Sequence, residues 1–429
     1  MEKRIRKTVQ ILCLVILLLW SIGCTGPSTE TSPDSEKTDA AKTEPTQVSG
    51  QCRVRYAKGF TVTYHDGYKV VTVFEPGRAA RSKEMSTFVL VPRGTRPPDA
   101  VKGTVVETPV QRVVLRSASH VPFFSMLGLT DRIKGIAQGK YVNDPEARRL
   151  IRQGRIAEVG VGSGMTAQFN VERLLTLHPD LVLTWWTNNP AYAGHIKAKE
   201  AGFPVALMAD YEEHTPLGKT EWVKFVAAFF DAEAEAERVF DDLEKRYVAM
   251  LKKVEAVRLR PTVMYGNSYQ GSWYVAGGKS YFANLVRDAG GDYIWGDDEG
   301  TGSKPVNAET AVARGRNADY WLTQNQNHLS LASVLAEDNR YRLFRAFQTG
   351  HIYSNNGKVG PGGGNDYYQG TAARPDLLLA DMIAILHPEV LPGHKLIWHL
   401  HLPATASGSP KAEGKEEKGT NQKKNGLWF

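Results

Sequence analysis

FNVERLLTLHPDLVLTW, residues 169–185, reads as a short helix that runs into a buried strand. The same layout returns in VNAETAVARGRNADYWLT, residues 306–323: Asn, one residue, Glu, an apolar helix, Asp, then an apolar strand. Asn is a good helix N-cap, and a Glu in the first turn is favoured by the macrodipole. Each Glu is therefore explained singly by local helix chemistry, but their recurrence is not. Glu172 and Glu309 sit at equivalent points of two half-repeats. A duplicated body with one exposed carboxylate on each half suits docking onto a two-fold symmetric partner with paired basic pockets.

Working outward, strands alternate with helices on both sides of this pair. In the first half, RVVLRS, RIKGIAQ, PDLVLTW and FPVALMA read as strands; HVPFFSMLGL, NVERLLTLH and AYAGHIKAKEAG read as helices. In the second half, TVMYGN, SWYVAGG, DYWLTQ and GHIYSN read as strands; SYFANLVRDAGG, NAETAVARG, LSLASVLAE and RPDLLLADMIAILHP read as helices. Near-continuous apolar strands between amphipathic helices imply parallel sheets covered on both faces. Between the halves, residues 232–256 hold neither Gly nor Pro and repeat apolar residues at helical spacing. That is a rod of roughly 37 Å, long enough to pass from one domain to another.

A chain of 429 residues exceeds what one core usually supports. The expected division is a signal peptide at 1–23, a disordered tether at 24–50, a β-hairpin extension at 51–104 and a first α/β lobe at 105–211. Bridging helices at 212–260, a second α/β lobe at 261–402 and a disordered tail at 403–429 complete it. The expected fold is α/β: two Rossmann-like lobes with parallel sheets joined by one long α-helix, plus the N-terminal β-hairpin extension, whose turn is marked by Asp66-Gly67.

The start, MEKRIRKTVQILCLVILLLWSIGC, has the basic, apolar and small-residue zones of a secretory signal. Its apolar run is short of the roughly 20 residues a permanent membrane helix needs. Ser21-Ile22-Gly23-Cys24 resembles the lipobox of bacterial lipoproteins, in which the Cys becomes the lipidated first residue; Ser21 departs from the Leu usual there. Residues 25–50 hold no aromatic residue and cannot bury a core, as a tether behind a lipid anchor requires. With Cys13 in the signal and Cys24 lipidated, only Cys52 remains and no internal disulfide holds the fold; the alternative is a Cys24–Cys52 disulfide in an unlipidated secreted protein. The leader contributes +3 of the net charge of +7, and much of the rest lies in the Lys-rich tail. No basic–aromatic interleaving points to nucleic acid.

Open α/β sheets bind ligands at the carboxyl ends of their strands. The loops there are rich in aromatic and polar residues, which makes Ser119, His120, Trp185, Trp186, Asn188, Tyr211, Tyr269, Trp273, Asp366, Tyr367, Tyr368 and Arg374 the candidate ligand contacts. Such a set suits a large, flat or partly apolar ligand. Arg374 would meet an anionic group. AGGKS at 276–280 lacks the leading Gly of a phosphate-binding loop, and GVGSG at 160–164 lacks dinucleotide-loop spacing. The histidines are scattered without metal-ligand spacing, His399 and His401 read as surface strand residues, and no nucleophile elbow occurs. No catalytic residue, resident metal or cofactor is expected.

These blocks, with VAGGKSYFANLVRDAGG and RPDLLLADMIAILHP, resemble the substrate-binding proteins of bacterial ABC importers for iron-siderophore complexes, haem and vitamin B12, the class with a rigid helix between its lobes. The resemblance runs from about Val105 to Pro392. It implies a monomeric, non-enzymatic protein, anchored by lipid at the cell envelope, that captures a ligand between its lobes and passes it to a permease. It assigns Glu172 and Glu309 to arginines of the permease and places Trp185 at the cleft. A ferric complex of siderophore type is the expected ligand, with cobalamin next for the Trp-rich rim. Haem is third, with His120, Tyr367 or Tyr368 as an axial donor; a metal chelatase is the enzymatic alternative.

Overall fold

The computed structural model describes residues 50–76, 83–162, 164, 167–187, 189 and 192–404. The expected signal, lipid-anchor Cys24, tether, Asn188 and the tail beyond 404 fall outside the described residues.

Both repeated blocks fold in the same way. The Asn170 side chain accepts from Arg173 N at 3.1 Å and starts the helix Val171–Leu177, which ends at left-handed His178 before the strand Leu181–Trp185. The Asn307 side chain accepts from Thr310 N at 2.7 Å and starts Ala308–Gly315, followed by Tyr320–Thr323. In the first lobe, Leu181–Trp185 lies between Val205–Met208 and Val113–Leu115, with Ile133–Ile136 and Ala157–Glu158 beyond, all parallel. In the second, Tyr320–Thr323 lies between Thr262–Tyr265 and Ile352–Ser354. Asp292–Tyr293 flanks one side in parallel and Leu400–His401 the other, antiparallel. Strand residues such as Val113, Val114, Leu115, Val263 and Met264 are fully covered, as strands sandwiched by helices must be.

The helix Glu233–Val254 joins the lobes. Its 22 residues make a rod of about 33 Å. Ala236, Phe240, Leu243 and Tyr247 recur at helical spacing on its buried side, which faces the closing helix Pro375–Leu386 and the helix Trp222–Phe230. All nine residues of Trp222–Phe230 are buried, Lys224 among them.

The expected Asp66-Gly67 hairpin joins Phe60–His65 to Tyr68–Phe74 and grows into a four-stranded sheet through Glu84–Pro92 and Thr104–Thr108. Phe60 and Phe88 pack on Trp222 and Phe229 at 4.9 and 5.4 Å between ring centres, so the sheet shares the core. Residues 53–59, which form neither strand nor helix, lead into it. The buried Glu221 carboxylate accepts from the backbone N–H groups of Arg55, Tyr56 and Ala57 at 2.9, 2.6 and 2.8 Å. Glu213 does the same for Lys58 and Gly59 at 2.9 Å, and takes the Trp222 indole N–H. Buried Lys224 balances the charge by bonding Glu221 and Glu237, each at 3.0 Å. Cys52 is buried and free, its thiol pushed up to about 12 by burial first and then by Glu237.

Candidate functional site

The first-lobe wall is built at the ends of its strands. Beyond Val113–Leu115 comes Arg116, whose guanidinium donates to Ala167 O at 3.0 Å and lies 4.7 Å over the Trp185 ring. Burial alone brings Arg116 down to about 10, still protonated at neutral pH. Trp185 closes its strand and meets Tyr211 edge-on and Tyr192 tilted, each at 6.4 Å. Tyr211 Oη donates to Trp186 O at 2.7 Å and ties the next loop in. Beside them Asp210 is buried and raised to about 6, chiefly by burial, with Lys219 pulling the other way. Lys219 is itself lowered by burial and supported by Asp210.

Four phenols come from the second lobe. Tyr265 ends the strand Thr262–Tyr265 and stacks on Phe282 at 3.6 Å. Tyr281 opens the helix Tyr281–Asp288, whose cap Ser280 accepts from Ala283 N at 3.2 Å. Tyr367 and Tyr368 open the helix Tyr367–Ala373, with ring centres 5.5 Å apart, and Asn355 Nδ2 donates to Tyr368 Oη at 3.0 Å. Burial raises all four, Tyr265 and Tyr367 well above the ordinary range and Tyr368 to about 12. Neighbouring phenols raise Tyr265 and Tyr367 further, while Tyr281 is raised further by Asp288 and then by Asp210 from the other lobe. Lys219 Nζ lies 5.6 Å from the Tyr281 ring centre. The four phenols and Lys219 keep part of their surface accessible. Groups both accessible and strongly desolvated are what the walls of a narrow cleft present.

Of the expected ligand contacts, Trp185, Trp186 and Tyr211 group at the first lobe's strand ends, and Tyr367 and Tyr368 pair at a helix start of the second lobe. Ser119 is half-buried, its hydroxyl 2.7 Å from that of Ser117. Other expected contacts lie elsewhere. His120 is 0% exposed, 3.9 Å behind Asp210, and held neutral near 3 by burial and then Arg116 and Lys219; it has no surface to offer a ligand. Trp273 is 1% exposed and packs among Trp321, Tyr341 and Phe344 in the second-lobe core, not at the rim. Tyr269 sits at a hairpin tip beside Tyr274. Asp366 is buried, accepting from Trp398 Nε1 and Lys358 Nζ at 2.9 Å, while Arg374 grips Asp376 through two bonds at 2.9 and 2.8 Å. Asp366 and Arg374 line a different cavity, of about 570 Å³, between the lobes and the bridging helix, with Met126, Leu243, Arg246 and Trp398. His399 is buried on Asp381 rather than at the surface, while His401 is exposed.

Arg116, Lys219, Tyr265 and Tyr281 were not among the expected contacts. Tyr265 carried a signal, since it stands at the carboxyl end of an apolar strand. Lys219 and Tyr281 carried none, because only the meeting of the lobes makes them neighbours. Glu172 and Glu309 are exposed in the first turns of their helices. Among the described residues no helix is long and apolar enough to cross a membrane, and no three His, Cys, Asp or Glu side chains form a metal site.

Two α/β lobes, a single rod between them and a cleft at their strand ends agree with a family match. Residues 113–359 fit the family described as periplasmic binding protein. The chain is a periplasmic binding protein. Its family is one of solute-binding proteins rather than enzymes. An uncharacterized lipoprotein of Methanocaldococcus jannaschii is similar to this binding protein, 30% identical over 304 residues that cover 68% of each chain. A possible iron-binding periplasmic solute-binding protein of Staphylococcus epidermidis shares the fold at TM-score 0.52 and 17% identity, covering 65% of this chain and all of its own. A periplasmic haem-binding protein of Pseudomonas aeruginosa matches at TM-score 0.51 and 18% identity, covering 70% of this chain and all of its own.

Proposed function

We propose that this periplasmic binding protein captures an iron(III) complex of siderophore type in the interlobe cleft and hands it to the permease of an ABC importer. The observation that supports this is the set of four un-ionised phenols of the second lobe, with Lys219 of the facing side 5.6 Å from the Tyr281 ring and Arg116 over Trp185 in the first lobe. Ferric chelates are bulky, partly apolar and edged with anionic oxygens. Neutral phenols donate hydrogen bonds to such oxygens, the two cations balance their charge, and the Trp185 and Tyr211 rings take the apolar parts. The iron-binding description of the Staphylococcus protein supports the same class.

Haem is the second reading. It is favoured by Tyr367 and Tyr368, either of which could supply an axial oxygen once deprotonated, and by the description of the Pseudomonas protein. Cobalamin loses ground because Trp273, one of the residues of its expected Trp-rich rim, lies in the core. The proposal extends to Glu172 and Glu309 as the permease contacts, one per lobe. It also takes the leader and Cys24 as export and lipid anchoring, in line with the name of the Methanocaldococcus relative.

The test is a titration of the mature protein with ferric hydroxamates and catecholates, haem and cobalamin, read by tryptophan fluorescence. Ferric complexes are expected to quench, and Trp185→Phe to remove most of the quench. A response to haem alone, with a shifted Soret band lost in Tyr367→Phe or Tyr368→Phe, transfers the assignment to haem. Silence with every compound removes the cleft as a capture site.

A further inference from the structure

We propose that Gln369 and the glycine-rich loop before it form a latch between the lobes, positioning the tyrosine-bearing helix at the depth the ligand requires. The inference rests on the cleft being the capture site. Gln369 lies on the helix that begins with Tyr367, and two residues on it points about 200° round from that phenol. Its amide is nearly buried and spent wholly on the other lobe: Oε1 accepts from Asn143 N at 3.0 Å and Nε2 donates to Tyr141 O at 2.9 Å. Asn143 answers in the opposite direction, Nδ2 donating to Gly364 O at 2.9 Å. Thr220 adds a fourth bond, to Ala372 O at 2.7 Å, at the far end of the same helix. One helix thus carries both the paired phenols and the amide that binds the facing lobe.

The loop makes this approach sterically feasible. A Cβ built on Gly362 would collide with Lys140 O, and one on Gly364 with Tyr141 O. Both obstacles are backbone of the first lobe, which cannot swing aside as a side-chain tip can. Any other residue at these two positions would hold the lobes apart. Only a side chain that offers both a donor and an acceptor can answer an N–H and a C=O together, so Glu in place of Gln369 would set carboxylate oxygen against Tyr141 O.

The test separates latch from pocket. Spin labels on two exposed residues, Lys199 in the first lobe and Arg316 in the second, report interlobe distance without any ligand. Gln369→Met keeps length and packing but loses both bonds; Gly362→Ala introduces the clash. Each is expected to lengthen the mean inter-label distance and to weaken ferric-complex binding about tenfold, mainly by faster release. Gln369→Glu should not rescue. Wild-type distance and affinity in both variants, or a lowered melting temperature with neither changed, overturns the latch. Tyr367→Phe with undiminished affinity would overturn the pocket instead, leaving the distance result to judge the latch.

Discussion

Asp210 is the residue at which site chemistry and stability meet. Its folded carboxyl keeps a proton up to about pH 6, whereas the unfolded one releases it near 3.8. Between those values the native state holds the extra proton. This group's contribution therefore favours the fold at low pH and is lost as pH rises through 6. Lys219 lessens the shift and Glu213 adds to it. In urea unfolding between pH 4 and 7, wild type should lose on the order of 2 kcal/mol relative to Asp210→Asn; parallel curves would place Asp210 in contact with water. Single residues were the scale at which sequence served least. Trp185 and Trp273 both belong to apolar strands followed by polar loops, yet the first keeps part of its surface accessible and the second fills the core. The difference is made by Trp321, Tyr341 and Phe344, which reach Trp273 from residues far along the chain.

At the scale of elements, local chemistry was far more legible. Asn170 and Asn307 cap their helices as read, and the strands between them took their places, because capping and apolar runs are local causes. The helix Pro145–Arg152 escaped notice although Asp144 caps it and Pro145 opens it, a readable start. The helix Tyr367–Ala373 hid behind its glycines, since VGPGGGNDYYQG, residues 359–370, reads as one loop. The four-stranded sheet was legible only as a hairpin, since its attachment depends on carboxylates some 155 to 166 residues away. That attachment is testable. Glu221→Gln replaces one of two acceptor oxygens with an amide donor facing backbone N–H groups and leaves Lys224 short of a buried partner. It should cost about 3 kcal/mol in denaturant unfolding, with ligand affinity unchanged because the sheet lies off the cleft. A loss below about 0.5 kcal/mol would show that water can replace the carboxylate there.

For the whole molecule, the rod Glu233–Val254 has the greatest consequence. A single helix packed along Pro375–Leu386 and Trp222–Phe230 permits a hinge of modest angle rather than a wide swing. It therefore also keeps the two lobes' outer helix tips at a nearly constant separation. If, as proposed, Glu172 and Glu309 are the permease contacts, these exposed carboxylates form a gauge that a two-fold permease would read with both arms at once. Two contacts held on one rigid body reinforce each other, since the second forms at high effective concentration once the first is made. Glu172→Ala or Glu309→Ala alone should each lower uptake of the ferric complex roughly tenfold, and together abolish it. Affinity of the purified protein for its ligand should stay within about twofold, because neither carboxylate belongs to the cleft wall. Uptake assays in cells and fluorescence titration of the same variants separate the two effects. If affinity falls in step with uptake, the carboxylates act on the ligand and not on the permease; if the double variant still transports, the repeated Asn-x-Glu is helix capping and nothing more.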